Sequence, residues 1–478
     1  MRDINKNNLI NKVWNLADVL RQSGIAYTDY VAQITYMIFL KMEFENLEFK
    51  DENLVPDEYR WDTLLKLRAE DLEKHYNNIL STLSKKSGIL GLIFAKAQNK
   101  IDTPVNLQKM ITLINAIDWA VIDVDIKGEI YEGLLEKNAT ESKSGAGQYF
   151  TPRALIKVIV EIMKPQLGYT IMDPACGTGG FLIEAFHYIK RNIGKDKEKI
   201  RILKEETVFG VDITPLVVSL CAMNMYLNGI GANIIQGDSL LKKYDKAYNM
   251  ILTNPPFGKK TALKNFDSNT NEVVVEKEHY SRNDFFASTS NKQINFLQHI
   301  MSILAINGKA AVVLPDNVLF EGGAGEAVRK YLLNNFNLHT ILRLPTGIFY
   351  AQGVKANVLF FDRGLPKEDE ALTKEVWIYD LRTNMNLSLK TNPLTEEHLE
   401  DFKNCFNADD ITNRKETFKF KKFTYEEIIK RDKINLDIFW IKDESLENLD
   451  NLPQPEELLS EIKSNFEDAF DIFNKINI

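Results

Sequence analysis

The segment DPACGTGGF at residues 173–181 decides the fold, because it follows a short apolar run and precedes a helical pattern. Its three glycines let the backbone approach a ligand closely where a helix begins. The spacing is neither the Gly-x-Gly-x-x-Gly of dinucleotide-binding folds nor the Gly-Lys-Thr of a P-loop. By itself such a loop binds a dinucleotide, a phosphate or nothing, but Asp173 and Pro174 at its head favour a ligand with a cationic or amine end.

Strand and helix patterns alternate on both sides of this loop, which predicts a mainly parallel α/β sheet covered by helices on both faces. The last two of seven predicted strands are joined by a glycine-containing loop too short for a helix, so we expect them to pair antiparallel at one edge. The predicted strands are residues 169–173, 208–212, 234–238, 250–254, 309–315, 338–344 and 357–362. The predicted helices between them are residues 180–190, 215–228, 294–306 and 326–334.

Three domains are expected from the change of pattern along the chain. Residues 1–145 show helical periodicity and predict a helical packing domain, with helices near residues 30–42, 107–119 and 128–135. Residues 146–365 form the predicted catalytic domain. Thr151-Pro152 and Thr214-Pro215 predict helices that each have a threonine N-cap and a proline at the first position.

The remaining segments carry little sheet pattern. Residues 259–291 are polar and predict a long inserted loop, and strand patterns fade after about residue 365. In this C-terminal region, residues 366–478, the segment 456–475 is an amphipathic helix suited to contact with another subunit or with its own core. Its apolar face comprises Leu459, Ile462, Phe466, Phe470 and Phe473.

Composition indicates a soluble globular protein, since 44% of the 478 residues are hydrophobic and 26% are charged. No apolar run approaches the roughly 20 residues of a membrane span, and the first residues lack a secretory pattern. Cys176, Cys221 and Cys405 are widely spaced, and the histidines show no ligand spacing. We therefore expect a reducing cytoplasm and no metal. The net charge of −8 suggests that any grip on DNA comes largely from another subunit or from one basic face.

Two further acidic residues end predicted strands. A carboxylate in the place of Asp212, after the second strand, commonly accepts from both hydroxyls of a ribose. Asp238, after the third strand, has a carboxylate that can accept from an exocyclic amine. Each residue alone could cap a helix or a turn. Together with the glycine loop they predict a cofactor that contains adenosine.

The fourth predicted strand ends in Asn254-Pro255-Pro256-Phe257. The prolines fix the backbone, so the Asn254 side-chain oxygen and the following carbonyl can both accept from one NH2 group. This raises the electron density on a planar amine without a strong base. Phe257 offers a ring on which a base can stack. The alternative is a rigid loop with a buried phenylalanine.

These motifs resemble those of the amino-methyltransferases of DNA. The segment GQYFTPR at residues 147–153, with GEIYE at 128–132 and NLDI at 435–438, resembles more closely the modification subunits of type I restriction-modification systems. The resemblance covers nearly the whole chain and is specific as a set. It implies a Rossmann-like, S-adenosylmethionine-dependent methyltransferase sheet with an N-terminal helical domain and a C-terminal helical tail. The implied activity is methylation of adenine-N6 in DNA.

The resemblance also implies roles for residues and partners. Asn254, Pro255, Pro256 and Phe257 would hold a flipped-out adenine, and no covalent intermediate is needed, so Cys176 is interpreted as a packing residue. The implied partners are double-stranded DNA, a specificity subunit, a restriction subunit and a second copy of the chain. The implied S-adenosylmethionine-binding residues are Gln148, Tyr149, Phe150, Thr151, Pro152, Arg153, Asp173, Thr178, Gly179, Gly180, Asp212 and Asp238.

Two other functions remain open at this point. Methyltransferases of protein glutamine or of an RNA base also use Asn-Pro-Pro with an aromatic residue, although Phe257, the GQYFTPR segment and the helical domain favour DNA adenine. A catalytically inactive assembly subunit would keep the fold, but the intact Asp173, Gly179 and Asn254 argue against it. The DNA recognition sequence and any preference for hemimethylated DNA are not encoded in these motifs.

Overall fold

The computed structural model describes most of the chain. The described residues are 27–45, 54–119, 124–141, 150–231, 233–257, 262–267, 272–277, 282–349, 354–366, 370–389 and 391–442, with single positions elsewhere. They form two compact units. The first unit comprises Met1–Phe150 with Gln166–Ser239, and the second unit comprises Thr151–Pro165 with Leu240–Ile478.

Helices and strands alternate after a helical first third. The α-helices of the described residues are α1 (Tyr27–Glu45), α2 (Trp61–Lys66), α3 (Ala69–Leu83), α4 (Gly88–Ile93), α5 (Pro104–Asn115), α6 (Val124–Glu141), α7 (Arg153–Met163), α8 (Gly180–Ile193), α9 (Lys197–Glu206), α10 (Pro215–Leu227), α11 (Lys292–Ile303), α12 (Asn317–Phe320), α13 (Ala324–Asn335), α14 (Glu396–Phe406) and α15 (Tyr425–Ile429). The strands are β1 (Ile171–Asp173), β2 (Val208–Asp212), β3 (Ile234–Gln236), β4 (Tyr248–Thr253), β5 (Ala262–Asp267), β6 (Glu272–Lys277), β7 (Leu304–Pro315), β8 (Asn337–Arg343), β9 (Ala356–Asp362), β10 (Glu375–Asp380) and β11 (Phe420–Thr424).

Helix α10 joins the N-terminal helices to the sheet of the first unit. Its sequence is apolar on all sides, and a helix of that kind is stable only when buried. It packs against α1, α4 and α6, so Leu220, Ala222 and Met223 share one core with the N-terminal helices. The Tyr226 hydroxyl donates to the Glu43 carboxylate within this contact. The first unit is therefore built around the helix that follows β2.

The sheet of the first unit is parallel, in the order β1-β2-β3. Asp173 pairs with Gly210, and Asp212 pairs with Gln236. Because the three strands run in the same direction, their carboxyl ends lie at one edge. The loops that begin at Asp173 and Asp212 and the loop after Gln236 therefore share that edge.

The second unit contains a mixed sheet in the order β11-β10-β8-β9-β7-β4. Strands β4 and β7 pair parallel, and so do β8 and β10. Strand β9 runs antiparallel to both β7 and β8, and β11 runs antiparallel to β10. The carboxyl end of β4 therefore lies at the same edge as those of β7, β8 and β10.

All seven predicted strands are present, and β8 and β9 pair antiparallel as expected. Two further strands, β10 and β11, correct both the strand count and the expected end of the sheet pattern near residue 365. The expectation that β8 and β9 form an edge is also wrong, because β10 pairs with β8. The sequence of β11, FKKFT, is a weak strand pattern because two of its five residues are lysines.

The segment 259–291 also differs from the prediction of a structureless loop. Strands β5 and β6 form an antiparallel two-stranded sheet within it, with Ala262 opposite Lys277 and Asp267 opposite Glu272. The β-branched run Val273–Val275 favours this extended backbone. The polar residues around it concealed the pattern.

One of the two predicted helix starts is confirmed. Thr214 is the N-cap of α10, with Pro215 at its first position. In α7 the N-cap is Pro152 rather than Thr151, so the helix begins one residue later than predicted. Thr151 instead makes the side-chain contact described below.

The predicted C-terminal helix lies largely outside the described residues. Of its apolar face, Leu459, Ile462 and Phe466 are described and are exposed, whereas Phe470 and Phe473 lie outside. Among the described helices, no stretch combines the length and apolar character that a bilayer crossing needs.

Candidate active site

The loop between β1 and α8 is shaped by its own backbone. The Asp173 carboxylate accepts from the Ala175 N–H at 3.0 Å, which closes a turn. Gly177 and Gly179 have φ values of +53° and +85°, a region that favours glycine. Gly179 is the N-cap of α8, so this loop presents backbone N–H groups at a helix start.

Helix α10 supports this loop from below. A β-carbon at Gly179 would lie 2.9 Å from the Cys221 sulfur. The Asn224 amide donates to the Thr178 carbonyl at 3.0 Å, and Asn224 is fully buried. The sequence analysis missed Asn224, whose signal was an amide in an otherwise apolar helix. The close packing against Cys221 and the positive φ together favour glycine at position 179.

Cys176 is a buried residue of the loop. Its thiol lies 4.0 Å from that of Cys221. The neighbouring Cys221 thiol and burial both raise the pKa of the Cys176 thiol well above its ordinary value. A neutral buried thiol is a poor nucleophile, which agrees with a packing role.

Asp212 is a buried, hydrogen-bonded carboxylate of the first unit. It is 8% exposed, and it accepts from the Gly177 N–H at 3.2 Å and from the Thr214 N–H at 2.9 Å. Burial raises the pKa of this carboxyl above its ordinary value, and the two backbone N–H groups partly offset that effect. A carboxylate oriented in this way retains acceptor capacity for two ligand hydroxyls.

Asp238 is held near Asp212 by the hydrogen bonds of the two residues that flank it in the chain. The Gly237 N–H donates to the Asp212 carbonyl at 2.9 Å, and the Ser239 hydroxyl donates to the Pro174 carbonyl at 2.6 Å. Asp238 itself is half-buried. The structure therefore gathers Asp173, Asp212 and Asp238 at one edge of the first unit.

The Asn254 amide lies directly after β4, in the second unit. Its Nδ2 donates to the Thr151 hydroxyl at 2.9 Å. Its Oδ1 is buried and accepts no hydrogen bond from any described residue. A buried acceptor without a donor costs on the order of 1–3 kcal/mol, so this oxygen, which lies directly after β4, is a candidate to accept from a ligand. The amide is thus held by its NH2 end with the oxygen available.

The residues after Asn254 form a rigid aromatic rim. Pro255 is buried and Pro256 is exposed, and the Pro256 carbonyl accepts from the Gln293 amide at 3.3 Å. The Phe257 ring packs edge-to-face on Phe349, with ring centroids 5.2 Å apart. Neither Gln293 nor Phe349 was identified from sequence, because both lie far along the chain with no motif of their own.

The segment before α7 is only partly described. Gln148 and Tyr149 lie outside the described residues. Phe150 is buried in the first unit. Thr151, Pro152 and Arg153 are half-buried residues of the second unit. Gly180 is the first residue of α8 and is half-buried.

Asp212→Asn tests whether the Asp212 carboxylate accepts from ligand hydroxyls. The ionised form is the stronger acceptor, and its raised pKa means that it protonates at a higher pH than an ordinary aspartate. We expect the affinity of the wild-type chain for S-adenosylmethionine to fall as the pH is lowered through this pKa. In the Asp212→Asn variant affinity should be lower, by about 1.5–3 kcal/mol, and independent of pH over that range. Calorimetric titration at a series of decreasing pH values measures both, and an unchanged affinity would remove Asp212 from the binding site.

Comparisons with known proteins agree on one family. The family model described as N-6 DNA Methylase matches residues 122–445, and that of the HsdM N-terminal domain matches residues 9–114. The StySJI type I restriction enzyme methylase subunit of Salmonella typhimurium strain LT2 is 38% identical, with 96% of this chain and 92% of the relative covered.

Two solved structures are similar over nearly the whole chain. The EcoKI methylase subunit of Escherichia coli strain K12 is 36% identical in sequence. Its crystal structure matches with a TM-score of 0.54 at 32% identity, covering 96% of this chain and 93% of that one. A chain from a structure of complex assembly in a type I restriction-modification system matches with a TM-score of 0.75 at 26% identity, covering 99% and 98%.

Proposed function

The chain belongs to the N-6 DNA methylase family, as a methylase subunit of the type I restriction enzymes, and from this membership we propose how its residues act. It is a DNA adenine-N6 methyltransferase. We propose that S-adenosylmethionine is its methyl donor and that the target adenine is flipped out of the duplex. The observation that carries the proposal is the buried Asn254 Oδ1, an acceptor that no described residue occupies.

The first unit contains most of the residues proposed to bind the methyl donor. Asp212 accepts from the ribose hydroxyls, and Asp238 lies toward the adenine. Thr178, Gly179 and Gly180 cradle the cofactor with Asp173, and the segment 148–153 lines its methionine end, apart from the Thr151 hydroxyl, which is bonded to Asn254. Two observations fit such a cofactor: the loop at Gly179 is closed to any β-carbon, and the Asp212 carboxylate is fixed by two backbone N–H groups. When bound, S-adenosylmethionine supplies a methyl group on a positively charged sulfur.

The residues proposed to bind the target adenine belong to the second unit. Asn254 Oδ1 accepts from the target adenine amine and so raises the electron density on its nitrogen. Pro255 and Pro256 keep the backbone of this loop from moving, and Phe257 offers a face to the extruded base. Catalysis in this proposal is positioning and electrostatics, with no covalent enzyme intermediate.

The proposed partners are double-stranded DNA, a specificity subunit, a restriction subunit and a second copy of the chain. The chain's own net charge of −8 gives little attraction to phosphates. A separate subunit that reads the DNA sequence therefore suits this chain. The exposed Leu459, Ile462 and Phe466 belong to the C-terminal segment predicted for subunit contact.

Transfer of labelled methyl groups tests this function. We expect the chain assembled with its specificity subunit to move label from S-adenosylmethionine into duplex DNA, where it is recovered as N6-methyladenine. The isolated chain should bind the cofactor but label the same DNA poorly. Label recovered in RNA or in protein glutamine would contradict the proposed substrate. Cofactor binding without any transfer by the assembled complex would instead indicate an inactive assembly subunit.

A further inference from the structure

We propose that Thr151 is a positioning residue, whose hydroxyl holds the Asn254 amide so that its oxygen faces the target amine. This inference rests on the proposed function, because it assigns a task to the proposed acceptor Asn254. Both residues belong to the second unit. They are separated by 103 positions, and their side chains meet through the 2.9 Å bond from Asn254 Nδ2 to Thr151 Oγ1.

The start of α7 shows that this hydroxyl is not a helix cap. Threonine before proline at a helix start usually caps the first free N–H groups with its side chain. Here the N-cap is Pro152, so Thr151 lies one residue before the cap position. The first turn contains the ordinary backbone bond from the Ile156 N–H to the Pro152 carbonyl, at 3.1 Å. The Thr151 hydroxyl is instead hydrogen-bonded to the Asn254 amide.

The two ends of the Asn254 amide have different surroundings. The NH2 end has the Thr151 hydroxyl as its acceptor, whereas the Oδ1 end is buried without a donor. A hydroxyl can accept from the NH2 end of an amide or donate to its oxygen, and in the structure the Thr151 hydroxyl accepts from Nδ2, which leaves Oδ1 for another donor. With the hydroxyl removed, nothing described would hold the NH2 end, and the amide could turn its nitrogen toward the substrate. The Asn254 NH2 group would then face the NH2 group of the adenine. Because both groups are hydrogen-bond donors, no hydrogen bond would form between them and the adenine amine would not be activated.

This assignment differs from the role that family resemblance gives to Thr151. As part of the GQYFTPR segment, Thr151 would contact the methionine end of the cofactor. In the structure its hydroxyl accepts from the residue proposed to hold the target base. The two roles predict different kinetic effects, since a cofactor contact acts on affinity and a positioning contact acts on the chemical step.

The test compares Thr151→Val with Thr151→Ser in the complex with the specificity subunit. Valine keeps the shape and removes the acceptor, and serine restores it. We expect valine to lower kcat about 10- to 100-fold, the effect of leaving one buried donor unsatisfied. Calorimetry should give an S-adenosylmethionine Kd within about twofold of wild type for both variants, and serine should recover kcat to within about threefold.

A double-variant cycle gives an independent measure. In an Asn254→Ala background, Thr151→Val should change the residual rate little, because the group that it positions is absent. Equal additional loss in that background would overturn the proposal. The proposal would also be overturned by a valine variant with wild-type kcat or by a serine variant as slow as the valine variant. A valine variant with weaker S-adenosylmethionine binding and unchanged kcat would overturn it as well.

Folding is monitored by thermal melting of each variant. If the valine variant melts well below wild type, Thr151→Ala is compared with Thr151→Ser instead. A lowered kcat with an unchanged S-adenosylmethionine Kd in the alanine variant then supports the proposal, as it would for valine. The wild-type complex separates the two levels of the proposal. If wild type leaves DNA adenine unmethylated, the proposed function fails; if wild type is active and the valine variant is too, only the role of Thr151 fails.

Discussion

Asn254→Ala will lower kcat at least about 10²-fold, with S-adenosylmethionine affinity nearly unchanged. Its Oδ1 is the buried acceptor that the target amine needs, and removal of one preorganised hydrogen-bonding group costs on the order of 10²–10³ in rate. Asp173, Asp212 and Asp238, the carboxylates proposed to hold the cofactor, lie in the first unit, and the Asn254 oxygen is assigned to the target base, so the substitution should leave cofactor affinity nearly unchanged. Single-turnover methylation of duplex DNA by the assembled complex measures the rate, and calorimetry measures the affinity.

Asn192→Ala is the matched control for this prediction. Asn192 is also an asparagine, but it is exposed and its amide donates only to the Tyr188 carbonyl of its own helix. We expect wild-type kinetics from it. An Asn254→Ala complex that methylates DNA at the wild-type rate would remove Asn254 from catalysis, and one that loses cofactor affinity and rate equally would make it a binding residue.

Arg343→Met is expected to lower the free energy of unfolding by about 3–5 kcal/mol, the usual cost of breaking one side of a buried ion pair. Arg343 ends β8, and its guanidinium donates to the Asp437 carboxylate and to the Ile438 carbonyl, both at 2.7 Å. It also lies 4.0 Å from the Phe439 ring. Burial lowers the pKa of the guanidinium and raises that of the Asp437 carboxyl, and the attraction between the two charges opposes both shifts.

Chemical denaturation of the full chain measures this effect, with Lys157→Met as the control. Lys157 and Glu396 are paired at 2.8 Å but are 39% and 48% exposed, so losing this pair should cost no more than about 1 kcal/mol. The double variant Arg343→Met with Asp437→Leu should recover part of the loss, because it leaves no buried charge alone. Equal effects from Arg343→Met and Lys157→Met would show that the buried pair does not anchor the NLDI segment.

The NLDI segment illustrates how far a motif could be understood from sequence. Residues 435–438 marked the family, yet their sequence gives no structural role. In the structure the Leu436 N–H donates to the Leu319 carbonyl at 2.9 Å, and Asp437 pairs with Arg343. Through these two contacts the NLDI motif fixes its own segment to earlier elements of the second unit. Its partners lie some hundred residues earlier, so spacing in the sequence could not reveal them.

The sheet was predictable where strands are apolar and end in polar residues. Strand β2 has the predicted bounds, and β4 ends at Thr253, directly before Asn254. Strands β10 and β11 and the β5–β6 pair were missed. The run Val376–Tyr379 in β10 and the run Val273–Val275 in β6 are β-prone patterns that were overlooked, whereas the lysine-containing β11 is a weak pattern whose extended backbone is stabilised by pairing with β10.

The sequence by itself determined the order of strands and loops, and therefore which residues follow β1, β2 and β4. Parallel strands bring their carboxyl ends to one edge, so Asp173, Asp212 and Asp238 could be grouped before any coordinates were known. Only the tertiary structure decided the contacts between distant side chains: Thr151 with Asn254, Asn224 with Thr178, and Phe257 with Phe349. The periodicity of a sequence reflects which face of an element is buried, whereas a hydrogen bond or ring contact depends on which side chains the packing brings within a few ångströms.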